Sequence, residues 1–331
     1  MVLPAVSKLP DLARYREEFC RGGTRIPLPL CTWKVDGLLD TIAPLQANRE
    51  GWPWTLQTKP FAKDAHGWPK ISIVTPSFRQ AAYLEETLRS LLLQNYPALE
   101  VVVLDAGSTD GSDKIIEYYR PFLSFARIAP DRGQSHAINQ GFSLASGDIF
   151  AWLNSDDFLM PDALRRVGEC FRDHQPDLVY GDIGDLHQDA SVIEFAPARF
   201  VHTSQRKYGG LLHQSSTFWS AKKHIPLIEE LQCSMDYDLW VRLLPEAKLR
   251  YLPAVLSIAR RHFEAKTISA SFKDAWQRDA ALNGKNYPGL YVSSPFADFI
   301  SRIAQRVTNH LRMRRRKQVD DEIREWLYGL R

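Results

Sequence analysis

Cysteine is scarce in this sequence and badly spaced for chemistry. The four present, Cys20, Cys31, Cys170 and Cys233, form no Cys-x-x-Cys pair, so neither a zinc cage nor a disulfide scaffold is indicated. A reducing cytoplasm is the expected compartment. Long apolar runs are missing too. The longest, 101–104 and 149–153, are of strand length, the N-terminus has no apolar leader, and no Asn-x-Ser/Thr sequon occurs. These absences argue against secretion and membrane spanning. No strand-like run is followed by Gly-x-Gly-x-x-Gly, and no Gly-x4-Gly-Lys-Ser/Thr exists, which argues against a dinucleotide oxidoreductase and a P-loop NTPase. A dominant charge is also lacking. The formal net charge is +3, and residues 302–331 alone hold nine Arg or Lys against four Asp or Glu. The remainder is slightly acidic, so any attraction to polyanions is local to the tail.

What is present is a globular composition, 44% apolar over 331 residues, enough for one large domain with appendages or for two domains. Residues 1–69 carry Pro27, Pro29, Trp33, Trp52, Pro53, Trp54, Trp68 and Pro69 with little periodicity, and read as an irregular extension packed by its aromatics. From residue 71 the character changes. Residues 71–75 form a β-rich run stopped by Pro76, Tyr83, Leu84, Thr87, Leu88, Leu91 and Leu92 follow at helical spacing, and 100–104 is a second apolar run. The alternation continues through strands near 125–128, 148–153 and 177–180 and helices holding Ile115, Ile138 and Leu164. It predicts an α/β fold with a mainly parallel sheet flanked by helices, and ligands beyond the C-terminal strand ends. Shorter segments around Val192, Phe218 and Leu249 predict a mixed second half. The expected units are an extension at 1–69, a catalytic domain at 70–284 divided near 175/176, and a helical basic tail at 285–331.

Polar clusters fall at the predicted strand ends: Thr75-Pro76-Ser77, Asp105-Ala106-Gly107-Ser108 and Asn154-Ser155-Asp156-Asp157. Carboxylates converging on one crevice suit Mg2+ or Mn2+ with substrate phosphates, because these ions take oxygen ligands and few protein carboxylates. Asp and Asn at such places also make turns and helix caps.

The run from Ile71 to Gln80 (ISIVTPSFRQ), then Tyr83-Leu-Glu-Glu-Thr-Leu, Gln94-Asn-Tyr-Pro, Asp105-Ala-Gly-Ser-Thr-Asp-Gly-Ser and Trp152-Leu-Asn-Ser-Asp-Asp together resemble family 2 glycosyltransferases of the type A fold. The resemblance covers residues 70–265 and includes the segment 130–141 (PDRGQSHAINQG), His213-Gln214 and Met235-Asp-Tyr-Asp-Leu-Trp. It implies transfer of a sugar from a nucleotide-sugar donor of UDP, GDP or dTDP type to a glycan or lipid-linked acceptor, as in polysaccharide and cell-envelope synthesis. By this resemblance Thr75, Pro76 and Phe78 line the base and ribose pocket and Asp105 hydrogen-bonds the base. Arg132, Gln134 and Asn139 lie across the nucleotide and sugar, with Asn154 and Ser155 beside them. Asp156 is the metal ligand of the Asp-x-Asp element, Asp157 its auxiliary, and His262 a further ligand or phosphate contact. His213 and Gln214 fall on the acceptor side, and Asp236 is the catalytic base of an inverting single displacement. The implied cofactor is Mn2+ or Mg2+. Asn154, Ala106 and Met235 stand where acids are frequent, which makes the site leaner in negative charge. From the residues alone, Asp236 also reads as a helix cap and Asp238 as a surface acid favoured by the helix dipole. Leu239, Trp240, Leu243 and Leu244 read as core.

In the tail, Phe296, Phe299, Ile300, Ile303, Val307 and Leu311 form an apolar stripe followed by Arg312, Arg314, Arg315, Arg316 and Lys317. The stripe reads either as a helix packed on the domain or as a peripheral anchor on an anionic membrane surface, at the inner face of the plasma membrane. Nucleic-acid binding has less support, since no aromatic residues interleave with the basic ones. A nucleotide-sugar or glycan-binding protein without turnover is the alternative reading, motivated by Asn154 and Met235.

Overall fold

Seven consecutive residues with no exposed member need cover on both faces, and β1 (Ile71–Ser77) is such a strand. It lies parallel to β2 (Leu99–Asp105) on one side and to β4 (Ile149–Trp152) on the other. The near-continuous apolar reading of β1 and β2 follows from this position, since parallel strands are covered by helices above and below. Successive side chains alternate between faces. Ile71 and Ile73 meet Leu84, Leu88 and Ile116, whereas Val74 and Val102 meet Ile138, Phe142 and Trp152. The structure, a computed structural model, describes residues 13–14, 28–46, 48–61, 67–187, 193–196 and 212–288.

From β1 the chain passes through α1 (Leu84–Leu92), β2, α2 (Ser112–Tyr119) and β3 (Phe125–Ile128), which joins β2 in parallel. After α3 (Gln134–Leu144) it returns to the far side of β1 as β4. The order of strands therefore reverses between β1 and β4, and a crevice opens beyond their C-terminal ends. The close seat of α3 on β1 requires a glycine, because a Cβ on Gly141 would stand 2.4 Å from Val74 Cγ1.

The second half is mixed. After β5 (Phe158–Leu159) and α4 (Ala163–His174), β6 (Leu178–His187) pairs antiparallel with β7 (Ile193–Ala196) and with β8 (Thr217–Ser220), and β8 pairs antiparallel with β4. After α5 (Met235–Leu243), β9 (Leu249–Arg261) runs parallel to β6, β5 closes its other edge antiparallel, and α6 (Lys273–Asn286) follows. Here β9 has 13 residues where the sequence indicates only a short segment near Leu249. Pro253 sits inside it, at a register irregularity and away from Ser257 and Ile258, which pair with β5. That is where a strand tolerates proline.

Residues 28–61 are fastened to α1 by buried charge. The Arg89 guanidinium, fully buried, donates to Ile42 O at 2.8 Å, Pro53 O at 2.9 Å and Trp54 O at 3.1 Å. Glu85 accepts from the Leu45 and Gln46 amides, and Trp52 Nε1 donates to Leu159 O. No helix among the described residues is long and apolar enough to cross a membrane. The tail stripe and basic cluster, residues 296–317, lie outside the described residues.

Replacing Arg89 by Ala should lower the urea midpoint by more than one lost hydrogen bond explains, because each buried acceptor left unpaired costs about 1–3 kcal/mol. Limited proteolysis should then cut first within residues 28–61. An unchanged midpoint would show that water substitutes for the guanidinium.

Candidate active site

At the end of β1, Ser77 pairs with Asp105 at the end of β2, and the Ala106 amide donates to Ser77 O. This brings the Thr75-Pro76-Phe78 segment and Asp105 to one rim of the crevice. Asp105 is buried; its Oδ1 accepts the Gly107 and Ser108 amides at 3.0 and 2.7 Å, and its Oδ2 accepts Ser108 Oγ at 2.8 Å. Ser108 Oγ also takes the Arg79 amide, which ties the two loops together. Phe78 projects into solvent, 53% exposed, with the Arg79 guanidinium 5.2 Å from its ring centroid. Thr75 Oγ1 is buried and makes no hydrogen bond.

The Asn154–Asp157 turn follows β4, on the other side of β1. Asp156 Oδ2 stands 3.0 Å from His262 Nε2, just past the end of β9. Asp157 points the other way. It is buried, and its Oδ1 accepts the Arg260 amide at 3.0 Å. Burial, with Asp156 beside it, holds the Asp157 carboxyl well above the usual aspartate range. The Arg260 side chain turns inward, pairing with Glu86 at 2.7 Å and lying over the Tyr83 ring. Arg261 pairs with Asp185. Neither arginine thus faces the crevice as a free cation; Arg260 Nε donates to the Asp156 carbonyl oxygen at 3.2 Å, while the His262 ring meets the Asp156 carboxylate.

Gln134, at the start of α3, donates from Nε2 to Asn154 Oδ1 at 2.8 Å and accepts Lys266 Nζ at 2.6 Å. Lys266 also donates to Gln232 O at 2.7 Å. Burial pulls the Lys266 ammonium below the usual lysine range, against the fields of Cys233, Asp279, Asp156 and Asp236. Lys266 was not among the residues expected from the sequence. No periodicity or motif marks it, since it lies in a turn whose amides bond back to His262 and Ala265.

Gln214 donates to Trp152 O at the end of β4, so the His213-Gln214 pair borders the same crevice. Arg132 lies further out, its side chain 61% exposed and paired with Glu229 at 3.3 Å. Asn139 is fully buried on α3; its amide donates to Leu227 O and accepts the Leu227 amide, which fastens residues 227–229 to the helix. Ser155 is buried, and its carbonyl takes Thr87 Oγ1.

Asp236 opens α5, half-buried, with its Oδ1 accepting the Tyr237 amide at 2.8 Å. Burial pushes its carboxyl above the usual aspartate range, opposed by that amide and by Lys266. Asp238 differs from the surface acid expected. It is fully buried, ion-paired with Arg242, and accepts the Tyr287 hydroxyl. The reason is that α5 is covered on this side by the end of α6, which no apolar pattern announces. Leu239, Trp240, Leu243 and Leu244 are buried, with Trp240 packed on Trp152 and Trp219. Among the described residues, no group of three His, Cys, Asp or Glu side chains is arranged around a metal position.

The switch point and the mixed second half of the single sheet are those of the type A glycosyltransferase fold. The chain superposes on residues 1–349 of S. aureus TarS, solved in complex with UDP-GlcNAc, with a TM-score of 0.52 at 20% identity, covering 65% of this chain and 66% of that one. More narrowly, residues 72–224, just under half of the chain, match the glycosyl transferase family 2 model. A glycosyltransferase of Rickettsia felis without assigned role is 26% identical over 211 residues, 59% of this chain and 35% of that protein. A PGL/p-HBAD biosynthesis glycosyltransferase of Mycobacterium bovis is 38% identical over 120 residues, 35% of this chain and 47% of its own length. The chain thus spans about a third of the Rickettsia relative it matches.

The two neighbouring aspartates of α5 should respond oppositely to amidation. A carboxyl with a raised folded-state pKa contributes most stability below its unfolded value and loses it as pH rises through the folded value. Ionisation of Asp236 therefore opposes folding, and Asp236→Asn should leave stability unchanged or higher. Asp238→Asn breaks a buried ion pair and should cost roughly 3–5 kcal/mol. Urea denaturation at pH 7 measures both; equal losses would refute the assignment of different environments.

Proposed function

We propose that the chain transfers a sugar from a nucleotide-sugar donor to a hydroxyl of a glycan or lipid-linked acceptor, inverting the anomeric centre in one displacement. The observation that carries this reading is the Asp156–His262 pair at 3.0 Å on the rim of the switch-point crevice, within reach of the field of Lys266, which also acts on Asp236. One carboxylate and one imidazole fit a divalent cation such as Mn2+ or Mg2+, with the remaining positions left to diphosphate oxygens. Bound there, the ion would act as a Lewis acid on the departing diphosphate.

The protein's own groups take the other roles. Phe78 offers an exposed ring face to the base, and Asp105, already oriented by three hydrogen bonds, retains one lone pair, on Oδ2, for a base N–H. The Gln134–Asn154 bond borders the donor. Asp236 accepts the acceptor hydroxyl's proton as that oxygen bonds to the anomeric carbon and the bond to the diphosphate oxygen breaks. A raised pKa suits a base working near neutral pH. Gln214 and His213 border the acceptor. The basic tail, residues 312–317, fits attachment to an anionic membrane face where lipid-linked acceptors reside.

A panel of UDP, GDP and dTDP sugars, screened by thermal shift with and without Mn2+, identifies the donor, since a ligand of the native state raises apparent stability. Asp156→Ala should abolish metal-dependent turnover while the fold persists, and excess chelator should do the same to the wild type. Asp236→Asn should retain donor affinity yet lower transfer about 10²–10⁴-fold. In the wild type the rate should fall as pH drops through a value above the ordinary aspartate range, and this acid limb should vanish in Asp236→Asn. Donor binding without transfer or hydrolysis in the wild type would instead establish a nucleotide-sugar-binding protein.

A further inference from the structure

Three consecutive amides ahead of α5 converge on a single side chain from another helix. The Gln232, Cys233 and Ser234 N–H groups donate to the Asp279 carboxylate of α6, with nearest distances of 3.1, 2.7 and 2.9 Å, and Ser234 Oγ adds a fourth bond at 3.2 Å. Asp279 is 2% exposed. Residues 232–234 lead into α5, whose N-cap Ser234 makes no side-chain cap, and the carboxylate fixes their amides from α6. The same stretch is held from its other side, because Lys266 Nζ donates to Gln232 O at 2.7 Å. Helix α6 steadies that lysine as well: Trp276 Nε1 donates to Lys266 O at 3.0 Å. One turn beyond Asp279, Asn283 donates to Ser234 Oγ at 2.9 Å. Asp236 follows Ser234 by two residues, so the backbone from which it projects is fixed by an anion on one side and a cation on the other.

We infer that Asp279 is a positioning residue for Asp236, gathering the amides of residues 232–234 so that the base meets the acceptor hydroxyl in attacking geometry. The inference rests on the reading of Asp236 as the base. It reaches beyond the segment that matches the family, which ends at residue 224. A carboxylate is suited to the task because it accepts from all three amides at once. An amide in its place can offer its oxygen to them only without the negative charge and with its own N–H facing the Gln232 amide, which the second carboxylate oxygen meets at 3.2 Å.

The test uses the full chain and the nucleotide sugar that the wild type turns over in the UDP, GDP and dTDP panel. Asp279→Asn should leave donor affinity unchanged by calorimetry and lower turnover about 10- to 100-fold, the scale of a small misplacement at the reacting centre. The double variant Asp236→Asn/Asp279→Asn should be no slower than Asp236→Asn alone, since residues acting through one group are not additive. Arg89→Ala, destabilised where residues 28–61 meet α1, should keep the turnover of its folded fraction. If Asp279→Asn fails to fold, Asp279→Glu keeps the charge but displaces it by one methylene, and should show the same loss of turnover at unchanged donor affinity. Wild-type turnover in the variant that folds, or a loss that adds in full to that of Asp236→Asn, overturns the inference while leaving the base in place. Near-normal transfer in Asp236→Asn, or a wild type that turns over no donor, removes the base reading and this inference with it.

Discussion

A strand buried along its whole length can offer polar chemistry only where it ends. β1 has no exposed residue and lies between two parallel neighbours, so the functional groups it positions stand at its C-terminal end, from Thr75 onward. The reversal of strand order beside it does the rest, because loops from β1, β2 and β4 then open on one crevice. Asp105 and Asp156 stand at and just beyond the ends of strands on either side of β1, though they are distant in sequence. The mixed half brings a third contributor, with Phe158 and Leu159 pairing with β9 so that His262 arrives opposite Asp156.

Within the fold the protein buries several charges that are matched. Arg89 meets three carbonyls, Arg260 meets Glu86, Arg242 meets Asp238, and Asp279 meets three amides. Buried ion pairs add little net stability, but leaving one member alone is costly. Their common effect is to fix one arrangement of neighbouring segments: residues 28–61 on α1, the end of β9 on the Asn154–Asp157 turn, and α5 on α6. Lys266 stands in the field of Asp156 and Asp236.

The first half of this fold was legible because its elements follow the simplest patterns, short apolar runs for covered strands and a three-to-four residue spacing for helices, with Pro76 and Pro97 as stops. Asp105, Asn154 and Asp156 could be placed for the same reason, since each follows a strand at a known offset. Legibility fails where burial is polar. β9 is interrupted by Pro253, so its length is hidden. Asp238 reads as a surface acid in isolation, and only the Tyr287 hydroxyl and the Arg242 guanidinium explain its burial. Lys266 and Asp279 escaped for a related reason: their partners are backbone atoms and side chains far away in sequence, which no local spacing encodes. Asn139 shows the converse, a residue within a recognisable motif whose amide is occupied by Leu227.

Helix α6 turns inward a face of Ala275, Asp279, Asn283 and Asn286. An apolar ridge can slide along its groove by a fraction of a turn with modest loss, because dispersion and hydrophobic burial have little directionality. Hydrogen-bonding groups allow no such tolerance. A shift of a single turn would leave Asp279 without its amides and Ser234 without Asn283, so this helix has one register or none. The second half of the sheet therefore carries a built-in gauge: only a correctly threaded chain can close it, and a misthreaded one is left with an unpaired buried carboxylate.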